Sequence, residues 1–400
     1  MRDPVRRVVV TGCGALAGGA GSVEEIWEAL LEDRMVAGGQ PTLEHLSELA
    51  ELPTADASIL GRHQLLALAA VRMAWKNAGL PPEHNRLRGE GAKQRFGHFG
   101  CVSGTSTGGL VAMEEEVAER SRKRFSPYSL TRWRSNAIGS AVSVAFGLGG
   151  SDFSLNAASA TGAQCVLLAG TLIRAGTIDA AVVVAADPLP GPLLREAMER
   201  NGSIAKTPEG RPLGSARSGM HPREGAGCVI LESGDHAQHR GAVPLAEWTG
   251  GDTAAEAFHL MAPDPKADAL GDLLRRSLGA SPHGPVGGVD WVSLHATGTP
   301  RFDAVEIACL KRFFGETFPW ITAVKRTTGH CLAASGVLEA AMLAQGLFIG
   351  SVPAWPGKVD PALGLAKCRP AVPPLPRHAV QIGQGMGGVV VVNVFSRCGR

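Results

Sequence analysis

The chain alternates between short unbroken apolar runs and stretches in which apolar residues recur every three or four positions. Val8-Val9-Val10 lies in a β-branched run from Arg7 to Thr11, and it predicts a strand that stops at Gly12. Ser22-Val23-Glu24-Glu25 has the form of a capping box and opens a helix through about Leu31. Residues 34–60 mix polar residues with Pro and Gly and read as an excursion from the core. Gln64 to Ala78 has helical spacing and stops at Gly79. His98 to Val102 predicts a strand, followed by the turn Gly104-Thr105-Ser106-Thr107-Gly108-Gly109 and a helix over Leu110–Arg120.

The best-formed unit runs from Asp152 to Ala186. Asp152 to Asn156 is strand-like, Ala157 to Gly162 is a run of small residues, and Ala163 to Ala175 is apolar at helical period. Gly176 stops that helix, and Ala180 to Ala186 is a wholly apolar strand. A strand–helix–strand crossover of this kind places its second strand where both faces are buried. Gly225 to Leu231 predicts another strand. A second series starts near Val243, with strands at Trp291–Leu294 and Thr322–Val324, a buried small-residue helix over Ala333–Leu347 and a closing run over Gly388–Phe395. The fold class is α/β, as two successive halves: residues 1–240 and residues 241–400. No short-period repeat is visible.

Composition narrows the function. The formal net charge is +2, which argues against a chain built to coat nucleic acid or an anionic membrane. Apolar residues make up 44% and charged residues 19%, enough for a large core. No apolar stretch is long enough to span a bilayer, and the first residues lack a signal-peptide pattern, so a cytoplasmic protein is expected. The 8 cysteines include no CxxC pair, so neither a disulfide framework nor a metal site is expected.

Three motifs compete for the chemistry. Gly12-Cys13-Gly14-Ala15-Leu16-Ala17 satisfies a permissive dinucleotide fingerprint, but the helix that should open at those glycines starts about ten residues late. The simpler reading is a Gly-rich loop after an edge strand. Gly104-Thr105-Ser106-Thr107-Gly108 is a formal GxSxG between strand and helix, the setting of a hydrolase nucleophile elbow on Ser106, with His378 as the late histidine. The third is a constellation. Ser159 sits at the strand-to-helix turn of the crossover, over a helix N-terminus that favours developing negative charge. His295, Lys325 and His330 each follow a predicted strand. Two imidazoles projecting from strand ends beside a nucleophile can polarise a carbonyl or stabilise an enolate.

The third constellation carries a resemblance that covers nearly the whole chain. Asn136 through Gly150, Arg211-Pro212 with Glu224-Gly225-Ala226-Gly227, His295-Ala296-Thr297-Gly298-Thr299-Pro300 with Asp303 and Glu306, and Lys325 through Gly336 stand in order. Together they resemble the blocks of the β-ketoacyl-acyl-carrier-protein synthases, condensing enzymes of the thiolase fold. The resemblance implies a five-layer α/β/α/β/α architecture of two similar halves, the first carrying the nucleophile and the second the two histidines and the lysine. It implies a ping-pong decarboxylative Claisen condensation of carrier-bound acyl and malonyl groups, in fatty acid or specialised polyketide or polyene synthesis. His295 and His330 would support decarboxylation, Lys325 would position them, and Thr297 and Thr299 would contact the pantetheine arm. The main-chain N–H groups of Ser159 and Gln384 would form an oxyanion hole. No cofactor of the chain's own is implied, since 4'-phosphopantetheine arrives on an acyl carrier protein. A homodimer, or a heterodimer with a related synthase, is implied as well.

Two departures qualify the resemblance. The family's nucleophile is Cys, and Ser159 stands at the matching position; a hydroxyl is a weak nucleophile without an adjacent base. Ser159 therefore leaves three readings: a variant with crippled acylation, a serine acyltransferase, or a non-elongating partner of the chain-length-factor type. Gln384 and Met386 occupy the C-terminal Gly-rich segment where the family carries phenylalanines, one of them gating the acyl pocket. Val389-Val390 replaces Thr-Asn there, and Gly214, Ser218 and Met220 replace Asp, Asp and Phe. Arg120, Arg122, Lys123, Arg124, Arg132 and Arg134 crowd one segment with Phe125, Tyr128 and Trp133, as a solvated face or a dock for an acidic carrier protein.

Overall fold

In the computed structural model the described residues are 6–82, 87, 96–120, 124–279 and 288–399. Ten strands form one sheet: β1 (Val8–Ala17), β2 (Phe99–Gly104), β3 (Asp152–Leu155), β4 (Ala180–Asp187), β5 (Gly225–Ser233), β6 (Ala246–Ala255), β7 (Trp291–Ser293), β8 (Trp320–Thr322), β9 (His378–Gly385) and β10 (Val389–Ser396). Their order is β3-β2-β4-β5-β1-β6-β10-β9-β7-β8. The order conceals a duplication. In the first five strands β2 is parallel to β3 and β4, β5 is antiparallel to β4, and β1 is antiparallel to β5. In the last five, β7 is parallel to β8 and β9, β10 is antiparallel to β9, and β6 is antiparallel to β10. The two sets are the same motif. They join through a short antiparallel contact, Val9 with Glu247 and Val10 with Ala246.

Equivalent helices follow the third strand of each set: Thr161–Arg174 after β3 and Ala334–Ile349 after β8. They lie against each other between the two five-stranded portions. Glycine makes that approach possible. A Cβ on Gly336 would stand 2.3 Å from the Ala163 nitrogen, and one on Gly162 would stand 2.5 Å from the Ala333 oxygen. Helices Arg62–Asn77 and Ala137–Phe146 cover the outer face of the first portion, and Asp268–Leu278 with Pro300–Phe314 covers that of the second. The result is the five-layer thiolase-like arrangement.

A buried polar chain ties the layers. Trp248 Nε1 donates to Asn393 Oδ1 at 3.0 Å, and Asn393 Nδ2 donates to Gln381 Oε1 and the Ala163 carbonyl, each at 3.0 Å. Gln381 Nε2 in turn donates to the Gly336 carbonyl. One amide thus reaches each central helix.

Several expectations are corrected. Gly12 and Gly14 belong neither to a dinucleotide loop nor to a loop after an edge strand, because β1 runs unbroken through them at the middle of the sheet. Their lack of a side chain lets helix Arg62–Asn77 close in: a Cβ would meet the Ala74 and Ala70 carbonyl oxygens at 2.3 and 2.1 Å. The strand expected at Thr322–Val324 lies two residues earlier, and Lys325–Thr328 is a helical turn. Residues 34–60 contain two short helices, Leu43–Leu49 and Thr54–Ala57. Strand β9 was not anticipated.

Candidate active site

The nucleophile turn connects β3 to helix Thr161–Arg174. Ala158 has φ +51, a left-handed conformation that costs a residue with a Cβ. Thr161 holds the turn: its hydroxyl accepts from the Ala157 N–H at 2.8 Å and donates to the Ala158 carbonyl at 2.6 Å. Strand β9 comes up beside it, so close that a Cβ on Gly385 would stand 2.3 Å from the Ala157 oxygen. Gln384, one residue earlier, is buried. Ser159 lies half-buried before the helix N-terminus, and among the described residues its hydroxyl takes no hydrogen-bond partner.

The histidines come from equivalent ends of β7 and β8. Two carboxylates of helix Pro300–Phe314 hold the first loop by its backbone. Glu306 accepts from the His295 and Ala296 N–H groups at 2.7 and 2.9 Å, and Asp303 accepts from Gly298 and Leu213 at 3.1 and 2.8 Å. These bonds hold Ala296 at φ +33 and Gly298 at φ +85. The cost appears in the carboxyl groups, which burial pushes up to about 6 for Asp303 and about 7 for Glu306. Thr297 is buried in the loop, its hydroxyl accepting from the Thr299 N–H at 3.2 Å, and Thr299 stands immediately before the helix that follows without a side-chain capping bond.

After β8, the turn Lys325–Thr328 ends at Gly329, φ +72, which delivers His330. The two imidazole centroids are 6.1 Å apart, with ring planes at 87°. His330 Nδ1 accepts from the Leu332 N–H at 3.0 Å, so the neutral ring carries its proton on Nε2. Lys325 Nζ donates to the His295 carbonyl at 2.7 Å and lies 3.4 Å from His295 Nδ1, which favours the same tautomer there. Both rings are neutral. Burial, reinforced by Lys325, pushes His330 down to about 3 and holds His295 well below its ordinary value. Two neutral imidazoles, each with an Nε2–H that has no partner among the described residues, make a hydrogen-bond donor pair suited to an oxyanion.

Lys325 is itself buried and ion-paired with Glu339 of helix Ala334–Ile349, whose carboxyl is pushed up by burial and held back by the ammonium. Sequence reasoning missed Glu339. Its signal was available, since it is the only charged residue in that sixteen-residue helix.

Ser159, Gln384, His295, Lys325 and His330 are therefore buried or half-buried: Ser159, His295 and His330 on loops that follow strands, Lys325 at the start of a helical turn and Gln384 near the end of β9. Met386 differs: it is 44% exposed, in the β9–β10 turn. The hydrolase reading fails on geometry. The Ser106 hydroxyl donates to Asp187 at 2.8 Å and has no imidazole partner among the described residues. His378 Nδ1 pairs with Ser396 Oγ at 2.9 Å. His378 and Gly385 are opposite ends of β9, a separation of about 23 Å at strand rise. In the basic segment, Arg132 is absorbed by Glu116 and the carbonyls of Ser58 and Ile59. Arg120, Arg124 and Arg134 are exposed, and Arg122 and Lys123 lie outside the described residues.

No described helix is long and apolar enough to cross a membrane. Residues 46–237 match the β-ketoacyl synthase N-terminal domain, and residues 245–357 match the C-terminal domain. The 3-oxoacyl-[acyl-carrier-protein] synthase I, chloroplastic, of Arabidopsis thaliana is 30% identical over 367 residues, 84% of this chain and 75% of that protein. Nodulation protein E of Rhizobium sp. (strain N33) is 30% identical over 365 residues, 87% of this chain and 88% of that protein. Two solved structures share the fold. A type II polyketide ketosynthase in complex with its acyl-carrier protein aligns with TM-score 0.80 at 22% identity, covering 99% of this chain and 100% of that one. The ishigamide ketosynthase/chain length factor aligns with TM-score 0.79 at 24% identity, with the same coverage. With both domains matched in order and a relative 30% identical over 87% of this chain, the chain belongs to the β-ketoacyl synthase family.

Proposed function

We propose that this chain catalyses decarboxylative Claisen condensation between an acyl group on Ser159 and a malonyl group on an acyl carrier protein. The observation that carries the reading is the neutral His295–His330 pair with its Lys325–Glu339 support. In the first step the Ser159 oxygen bonds to the acyl carbonyl carbon, the thioester C–S bond breaks, and the hydroxyl proton passes to the departing thiolate. In the second, the malonyl C–C bond to the carboxylate breaks and releases carbon dioxide. The resulting thioester enolate is stabilised by the two Nε2–H donors. Its carbon then attacks the Ser159 ester, the new C–C bond forms, and the serine oxygen leaves as an alkoxide that takes a proton from water. The Ser159 and Gln384 N–H groups receive the carbonyl oxygen in both acyl transfers. Thr297 and Thr299 contact the pantetheine arm, which the carrier protein brings as its own prosthetic group.

The unpartnered Ser159 hydroxyl favours a second reading, a non-elongating subunit that pairs with a cysteine-bearing synthase. A neutral imidazole whose Nδ1 is occupied and whose Nε2 is protonated has no lone pair with which to deprotonate a serine. Incubation with acyl- and malonyl-carrier protein, read by intact mass, separates the two. Condensation predicts loss of carbon dioxide and a β-ketoacyl product, increased by Ser159→Cys. Failure of both forms to make that product without a partner synthase overturns it in favour of the subunit.

A further inference from the structure

The Gly104–Gly109 turn carries no nucleophile, yet its hydroxyls and backbone N–H groups are densely hydrogen-bonded. Its donors converge on Asp187, the last residue of β4, which is fully buried. The carboxylate accepts from Thr105 Oγ1 at 2.7 Å, Ser106 N at 3.1 Å, Ser106 Oγ at 2.8 Å, Thr107 N at 2.8 Å and Thr107 Oγ1 at 3.0 Å. A sixth donor, the Ala333 N–H at 2.9 Å, comes from the other half of the molecule. Among the described residues no Lys or Arg pairs with it. A buried carboxylate compensated only by neutral donors is held in one orientation by all of them at once.

Both arms of this hub end at the site. On one side, Ala333 follows Leu332, whose N–H fixes His330 Nδ1 and whose φ is +48. On the other, the Ser106 carbonyl accepts from Asn156 Nδ2 at 3.2 Å, and Asn156 Oδ1 accepts from the Ala158 N–H at 3.2 Å, next to Ser159. We infer that Asp187 is a positioning residue that sets the nucleophile turn and the His330 ring against each other, with Asn156 serving the nucleophile arm alone. The role bears on catalysis only under the function proposed above. Its test needs no substrate, so the two fail separately.

Two readouts follow the two arms. Iodoacetamide alkylation of the thiol introduced by Ser159→Cys reports the nucleophile turn, because thiolate character there depends on alignment with the helix N-terminus. Imidazole 15N shifts of His330 report its tautomer. In the Ser159→Cys background, Asp187→Asn is expected to slow alkylation roughly tenfold and to move His330 from the pure Nε2–H tautomer to a mixture. Asn156→Ala is expected to slow alkylation to a similar degree while leaving the His330 shifts unchanged, a split that general loosening would not produce. The inference is overturned if Asp187→Asn leaves alkylation within about twofold and the His330 shifts in place. It is equally overturned if Asn156→Ala disturbs His330 as much as Asp187→Asn does. Should Asp187→Asn fail to fold, Asn156→Ala decides: unchanged alkylation overturns the nucleophile arm, and slowed alkylation with intact His330 shifts supports it.

Discussion

Replacing Glu339 with leucine removes the counter-charge of Lys325 in a place water does not reach, since the two side chains are 2% and 1% exposed. Breaking a buried pair by deleting one partner costs about 3–5 kcal/mol, because the remaining charge is stranded. At about 2.1 cal/mol/K of unfolding entropy per residue, the 400-residue chain unfolding as one unit would lose roughly 4–6 °C of Tm. The double variant Lys325→Met/Glu339→Leu strands no charge and leaves only the His295 carbonyl without its donor, so a large part of the stability returns, with a coupling of about 2 kcal/mol. Activity behaves differently. The ammonium 3.4 Å from His295 Nδ1 is absent from the double variant, so malonyl decarboxylation stays lost while stability recovers. Denaturant unfolding and decarboxylation of malonyl-carrier protein, measured on all four proteins, make the assay. If Glu339→Leu costs less than about 1 kcal/mol, or the two single losses simply add, the pair is not the solvent-excluded support described here.

Held neutral with its pKa near 3, His330 binds fewer protons folded than unfolded, where histidine titrates near 6.5. Its contribution to stability is therefore complete above about pH 6.5 and declines as pH falls toward about 3, so the Tm gap between wild type and His330→Gln should narrow from about pH 7.5 to about pH 5. A constant gap would contradict it. Glu306→Gln leaves one oxygen for the two N–H groups of His295 and Ala296, which costs about 1–3 kcal/mol for the orphaned donor. Since burial raises Glu306 to about 7, its ionisation weakens the folded state as pH rises from about 4.5 to about 7, so the variant's deficit should be smaller at pH 8 than at pH 5 in thermal melts. Gly336→Ala places a Cβ 2.3 Å from the Ala163 nitrogen and should destabilise the protein by at least about 1–3 kcal/mol, read by denaturant midpoint.

Sequence reasoning reached some parts of this molecule more easily than others. Strand β4 was legible because a run from Ala180 to Ala186 buried on both faces has no other use, and helix Thr161–Arg174 because Gly176 ends its period. The histidines were legible as a set, each placed after an apolar run. The duplication reached the sequence reading only through the family resemblance, because it resides in strand order and direction rather than in residue identity. Strand β9 was missed because its sequence, His378 to Gly385, interrupts apolar residues with Gln381 and Gln384. Both are buried, and Gln381 is there to reach the Gly336 carbonyl. The glycines at 12 and 14 look like a turn for the same reason they work inside a strand: what they accommodate is another backbone, and nothing in the local sequence names it. Asp187 and Glu339 act through partners up to 146 residues away, a separation no local pattern reports.

His295 and His330, neutral and donating from Nε2, are proposed to stabilise a thioester enolate whether or not Ser159 takes up an acyl group. The most direct measurement is the rate at which the purified chain and its Ser159→Ala variant convert malonyl-carrier protein to acetyl-carrier protein, followed by intact mass. Comparable conversion by both, abolished by His330→Ala, is the predicted result. No conversion by either, or loss on Ser159→Ala alone, would contradict it.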